Sequence, residues 1–277
     1  MTTSNNAIRN AIVFSAITLG LSYFAFWGPL AITQTKAISF VDSTKGPLWA
    51  ILLYIVGGFV PSIVGLAMYR ITDGAAAFKM ALKRSLQMKI GAKWYGISLG
   101  IIIVGGFSQI LLNSMFGHSF DYSIILVQLP SIIPLIILGP LSEEFGWRGY
   151  LLGKLQTRLS PLASSLAVGI VWGLWHLPLF YMNGTSQNVL GIPFAGFVLN
   201  LMSISIIMTW IMNSAKGSLW SAIFFHWIYT YCLQVVSTGV TRNALYNWLE
   251  SAPFVVIAIA VVALNRGFAA RPPAAEA

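Results

Sequence analysis

Eight apolar stretches, most of them about as long as a bilayer is thick, leave this chain few ways to fold. They run over about 11–32, 47–69, 95–116, 124–147, 162–182, 189–212, 218–237 and 252–265, the last being short. A helix crosses the hydrocarbon with about 20 apolar residues, and the period-two alternation of barrel strands is absent. Only 8% of the chain is charged, against a norm of about 25%, and its mean hydropathy is +0.78. A soluble domain of 277 residues would need far more polar surface. The fold class expected is all-α: a polytopic membrane protein with about eight transmembrane helices and an intramembrane polar cavity. It forms a single helical domain over 1–270, with "RPPAAEA" (271–277) as a disordered tail.

The apolar run from Ala11 to Ile32 exceeds the 7–15 residues of a signal h-region, and no small-residue cleavage pattern follows it. It is read as the first span. Cys232 stands alone, which excludes an intrachain disulfide and leaves it as a small apolar filler. The net charge of +9 does not point to nucleic acid, because its basic residues are not interleaved with a soluble fold. They report orientation instead. With the N-terminus inside, Arg9, Arg70, Lys79, Lys83, Arg84, Lys89, Lys93, Arg148, Lys154, Arg158, Lys216, Arg266 and Arg271 fall on the cytoplasmic side. Lys36, Lys45 and Arg242 fall outside. This predicts a multi-pass protein of the cell membrane with both termini cytoplasmic. The connection 70–94, "FKMALKRSLQMKIGAKW" within it, has the spacing of an amphipathic helix lying on anionic headgroups. A substrate-docking platform is the alternative for this segment.

Ionisable residues inside a membrane cost roughly 2.5–3.5 kcal/mol each on insertion scales and raise a functional question by default. Three places qualify: "GPLSEEFGWRGYLL" (139–152) on span four, His176 in "VWGLWHLPLF", and His226 in "SAIFFHWIYTY". His118 falls in an outer loop. On a helix, Glu144 and Arg148 stack one turn apart in the favourable order for an ion pair. Glu143 projects about 100° away and has no partner predicted in its own helix. Pro140 predicts a kink, which serves equally as a packing feature or as the opening of a wet pocket. A carboxylate and an imidazole can share a water, and Thr230 lies one turn after His226, where two donors could hold an oxyanion. The plainer reading is an anchoring ion pair, hydrogen-bonded core histidines, and tryptophans that pack. A proton-coupled transporter is also open at this point.

"SEEFGWRGYLL" resembles the Glu-Glu-x-x-x-Arg motif of the CPBP intramembrane proteases, which group type II CAAX prenyl endopeptidases with bacteriocin-processing and immunity proteins. "WGLWH" is similar to their Phe-x-x-x-His motif and "HWIYT" to their His-x-x-x-Asn motif. The resemblance covers about 120–240. It implies an endopeptidase that cuts a membrane-anchored peptide, CAAX-like or otherwise lipidated. Glu143 would be the general base, His176 its partner in activating water and His226 the oxyanion histidine. Glu144 and Arg148 match the second acid and the arginine. Trp172 stands where the family pattern has Phe, and Thr230 where it has Asn, so the oxyanion donor is altered. A threonine hydroxyl reaches less far than a carboxamide.

The metal-free, glutamate-dependent mechanism is preferred, with no cofactor. The alternative is a zinc ion on Glu143, His176 and His226. The cavity is expected between spans four, five and seven, opening to the cytoplasmic half of the bilayer. Counting residues places His176 about 20 Å above the inner end of its span and Glu143 much shallower. The rivals are a non-catalytic immunity or scaffold protein that binds a membrane partner, and the transporter.

Overall fold

The computed structural model describes residues 2–40 and 45–270, with side chains from residue 6 onward; the 271–277 tail lies outside them. Seven helices are long and apolar enough to span a membrane. They are α1 (Asn6–Ile32), α2 (Leu48–Ser85), α3 (Ala92–Met115), α4 (Ser123–Leu155), α6 (Phe194–Ser214), α7 (Leu219–Gly239) and α8 (Ala244–Leu264). Between α4 and α6 runs α5 (Pro161–Trp175), apolar but only 15 residues long. No strand occurs among the described residues. The bundle's outside carries side chains such as Ile63, Ile103, Ile133 and Ile259, each more than half exposed. Such a surface suits acyl chains and not water.

Three boundaries differ from the hydropathy reading. Helix α4 does not stop at 147 but winds on to Leu155. Hydropathy ends the span at the charges, whereas the helix continues because the bundle buries them. Arg148 is fully buried, so it is no cytoplasmic anchor. Helix α5 ends at Trp175 with His176 as its C-cap, and Leu177–Phe180 continue as a single 3₁₀ turn. Pro178, whose ring cannot follow an α-helical residue without a clash, marks this stop. The basic segment expected over 70–94 is a helix only over Gly74–Ser85. It forms the last part of α2, joined to Leu48–Met68 through a π turn at Tyr69–Asp73, and Lys79, Lys83 and Arg84 lie exposed on it.

Helix α4 is irregular on both sides of its acidic pair. Ile137–Leu141, which contains Pro140, and Phe145–Leu151 are both π-wound. A π turn absorbs the amide that proline lacks and is common at functional sites. The α2–α4 crossing is nearly backbone on backbone. A Cβ on Gly146 would lie 2.2 Å from the Pro61 carbonyl oxygen, and one on Gly65 would lie 2.7 Å from the Gly146 Cα. Only glycine fits there, as at close crossings of membrane helices. Phe14 of α1 closes the packing, edge-on to Trp147 at 5.6 Å.

The bundle has two polar ends, each held together by its own hydrogen bonds. At one end Lys154 bonds Asp73 (2.5 Å), the Ser218 hydroxyl donates to the Gln87 carbonyl, Asn213 to Gln156, and Trp210 to Asn265. At the other, the Phe40 amide donates to the Gly184 carbonyl, Asn183 to that of Gln34, Asn247 to that of Leu190, and Asn113 to that of Thr241.

Candidate active site

The acidic pair sits in the bundle's interior. Glu144 is fully buried, and its Oε1 accepts hydrogen bonds from Arg148 Nη1 at 3.0 Å and His226 Nδ1 at 2.7 Å. The expected i,i+4 pair is therefore present, but it is one side of a triad whose third member comes from α7. The Arg148 guanidinium also lies 4.2 Å from the Trp172 ring centroid, a cation–π contact out of reach of water.

Glu143 points elsewhere. Its Oε2 accepts from the indole N–H of Trp172 at 2.6 Å and of Trp147 at 3.2 Å. Glu143 thus does have a partner in its own helix, contrary to the expectation from charge alone, because Trp147 sits one turn later on the same face. Both tryptophans are buried. Neither indole can do anything but donate, so both fix one carboxylate oxygen and leave Oε1 as the one without a protein donor.

His176 Nδ1 lies 2.9 Å from the Trp172 carbonyl oxygen. A carbonyl only accepts, so this nitrogen carries the proton and Nε2 presents a lone pair when the ring is neutral. The ring stands against Trp175 at 4.6 Å and Phe197 at 5.1 Å. His226 uses the same arrangement, with a carboxylate in place of the carbonyl. Its Nδ1 is committed to Glu144, and its Nε2 faces the α4 backbone: a Cβ on Gly139 would lie 4.0 Å from that nitrogen and 3.6 Å from Thr230 Oγ1. Glycine at 139 keeps this corner open. The Thr230 hydroxyl donates to the His226 carbonyl at 2.8 Å, so it must turn before it could donate to anything else.

Glu143, His176, His226 and Thr230 all line one cavity of ≈ 480 Å³. The volume lies within the range typical of ligand sites. Glu144 and Arg148 do not line it; they stand behind it. The imagined mismatch in depth disappears with the longer α4. Glu143 is twelve residues above Leu155 and Trp172 eleven above Pro161. Both lie on the order of 17 Å from that end at 1.5 Å per residue. His176 is one turn higher. Three wall residues were not singled out from sequence as polar contributors: Tyr54, and the Asn200–Tyr229 pair, in which Asn200 Nδ2 donates to Tyr229 Oη at 2.5 Å.

A zinc ion would need three converging donors. Among the described residues no group of three His, Cys, Asp or Glu side chains is close enough to hold one ion. One oxygen of Glu143 is taken by two indoles, and one nitrogen of His226 by Glu144. These bonds leave Glu143 Oε1, His176 Nε2 and His226 Nε2 free, so it is the spacing of the three side chains, and not their hydrogen bonds, that does not fit the Glu-His-His zinc set.

Fold and site together define a polytopic helical membrane protein with a polar chamber inside the bilayer, walled by a carboxylate and two imidazoles. The description "Type II CAAX prenyl endopeptidase Rce1-like" matches residues 125–232, a range that holds every one of these side chains. The chain is also similar to CAAX prenyl protease 2 of Methanococcus maripaludis, 29% identical over 174 residues. That match covers 61% of this chain and 60% of the relative's length. Over that range the chain is similar to type II CAAX prenyl endopeptidases.

Proposed function

We propose that this protein is an intramembrane endopeptidase that hydrolyses a peptide bond of a membrane-associated substrate. One observation carries the reading: a carboxylate and two imidazoles from three helices border a single cavity in the bundle. Glu143 Oε1 and His176 Nε2, the two acceptors left without a protein donor, are suited to hold a water between them. Glu143 takes its proton as the hydroxide adds to the peptide carbonyl, and passes that proton to the leaving amine. The developing oxyanion needs donors. His226 Nε2 can supply one when its ring carries both protons, with the Glu144 carboxylate behind Nδ1 as countercharge. Apolar walls strengthen each of these interactions by keeping the dielectric low. The two indoles keep Glu143 from swinging toward the Arg148 guanidinium.

The substrate class that the relative's name suggests is a CAAX-type C-terminal peptide. Purified protein offered a panel of membrane-anchored peptides, prenylated and not, should yield products of defined mass. A chelator should leave the rate unchanged; loss of activity restored by added zinc would return the metal to the mechanism. Binding of a membrane partner with no cleavage of any peptide would favour the immunity or scaffold reading. Solute uptake into sealed vesicles without cleavage would favour the transporter.

A further inference from the structure

Addition of hydroxide to a peptide carbonyl leaves a negative oxygen, and active sites hold it with donors already aimed at its position. The chamber is short of such donors. The Thr230 hydroxyl is committed to the His226 carbonyl, and His226 Nε2 donates only when its ring carries both protons. Other donors in the walls around Glu143 and His176 are committed as well. Ser142 donates to the Gly139 carbonyl, the Trp175 indole donates to Ser22, and the Tyr229 hydroxyl is paired with Asn200. One hydroxyl stands apart. The Tyr54 side chain lines the same chamber and makes no hydrogen bond among the described residues.

Tyr54 is also fixed in place. Its ring stacks on that of Trp27, with centroids 6.1 Å apart and planes at 27°, and the Trp27 indole donates to the Tyr54 carbonyl at 2.9 Å. Trp27 in turn lies 4.4 Å from Trp175, whose ring stands against His176. Gly57, about one turn after Tyr54, lets the indole lie this close to α2: a Cβ there would be 2.3 Å from Trp27 Nε1. Tyr54 therefore belongs to a row of rings that ends at His176. Its hydroxyl also feels the charge of Glu143. A donor locked by packing is ready for the transition state, because it need not be ordered at the moment of reaction.

We propose that Tyr54 is a further catalytic residue, whose hydroxyl donates a hydrogen bond to the oxyanion in place of the carboxamide that Thr230 does not supply. The role rests on the peptidase reading. No proton leaves the tyrosine. The water's oxygen forms the new bond to carbon, its proton goes to Glu143, and the carbonyl π pair moves onto the oxygen that the phenol O–H then holds. When that pair returns, the C–N bond breaks and the amine leaves with the proton from Glu143. A phenol stays protonated well above neutral pH, and its hydroxyl stands further from its backbone than that of a threonine.

The test compares four forms of the full chain on one membrane-anchored peptide: wild type, Tyr54→Phe, Thr230→Asn and the double variant. Each is used at equal amounts of folded protein, checked by its melting curve in detergent. Phenylalanine keeps the stack on Trp27 and removes only the hydroxyl. Tyr54→Phe should lower kcat about 100-fold, the loss typical of one oxyanion donor, with KM within about twofold of the wild type's. In the Thr230→Asn background the same change should cost no more than about tenfold, because the carboxamide then shares the oxyanion. An unchanged kcat in Tyr54→Phe would overturn the proposal. A loss that falls on KM alone, or one of equal size in both backgrounds, would overturn it too. Each of these results would leave the peptidase reading standing, whereas a wild type that cuts no peptide would remove that reading and the role of Tyr54 with it.

Discussion

At the scale of single residues, the site is an arrangement of donors and acceptors, and at two positions this chain departs from the motifs it resembles. Trp172 replaces Phe and thereby adds an N–H aimed at Glu143, at 2.6 Å. Hydrogen bonds to charged groups contribute about 1.5–3 kcal/mol. Trp172→Phe should therefore keep the fold and lower kcat about tenfold or more with little change in KM, measured on a cleaved peptide. An unchanged kcat would reduce the indole to packing. Thr230 replaces Asn, and its hydroxyl is occupied by the His226 carbonyl. Thr230→Asn should raise kcat, since a carboxamide reaches the corner that Gly139 leaves open; a lower kcat would mean that the threonine is adapted to this site. The acids, the arginine and both histidines were legible in the sequence, because charge inside an apolar chain is conspicuous. The indole donors were not, because tryptophan in a membrane helix reads as bulk until its nitrogen is located.

At the scale of elements, what matters is how α4 carries two carboxylates into the bundle. Its π turns lie on either side of the pair, and its contact with α2 leaves no room for a side chain at Gly146. Gly146→Val should separate the two helices and lower thermal stability in detergent by several degrees, an overpacking cost of about 1–3 kcal/mol. A melting curve like the wild type's would show that the crossing has slack. The buried triad predicts an asymmetry. Arg148→Ala leaves Glu144 charged without its guanidinium and should cost about 3–5 kcal/mol, whereas replacing Glu144 and Arg148 together by apolar residues should cost less than Arg148→Ala alone. Denaturation of the variants would decide this, and additive losses would contradict it. Hydropathy placed the spans within a few residues, yet it closed α4 at the charges and extended α5 past His176. It cannot see that a buried ion triad keeps a helix going, or that a 3₁₀ turn has already ended one.

At the scale of the whole molecule, eight apolar helices and two distinct polar ends frame a chamber near mid-bilayer. Helix count and charge asymmetry were readable from the chain, because both are one-dimensional. The shape of the chamber was not, since it depends on which helix ends splay apart, and that follows from contacts between distant segments such as Phe40 with Gly184 and Asn113 with Thr241. The account turns on Glu143 as the group that takes a proton from water. The most direct measurement compares cleavage of one membrane-anchored peptide by wild type and by Glu143→Gln, at equal amounts of folded protein, with product masses read out. Glutamine keeps the shape and the capacity to accept the indole bonds but is no base, so the rate should fall by at least about 100-fold while the peptide still binds. A glutamine variant that cuts the same bond at close to the wild-type rate would contradict the account.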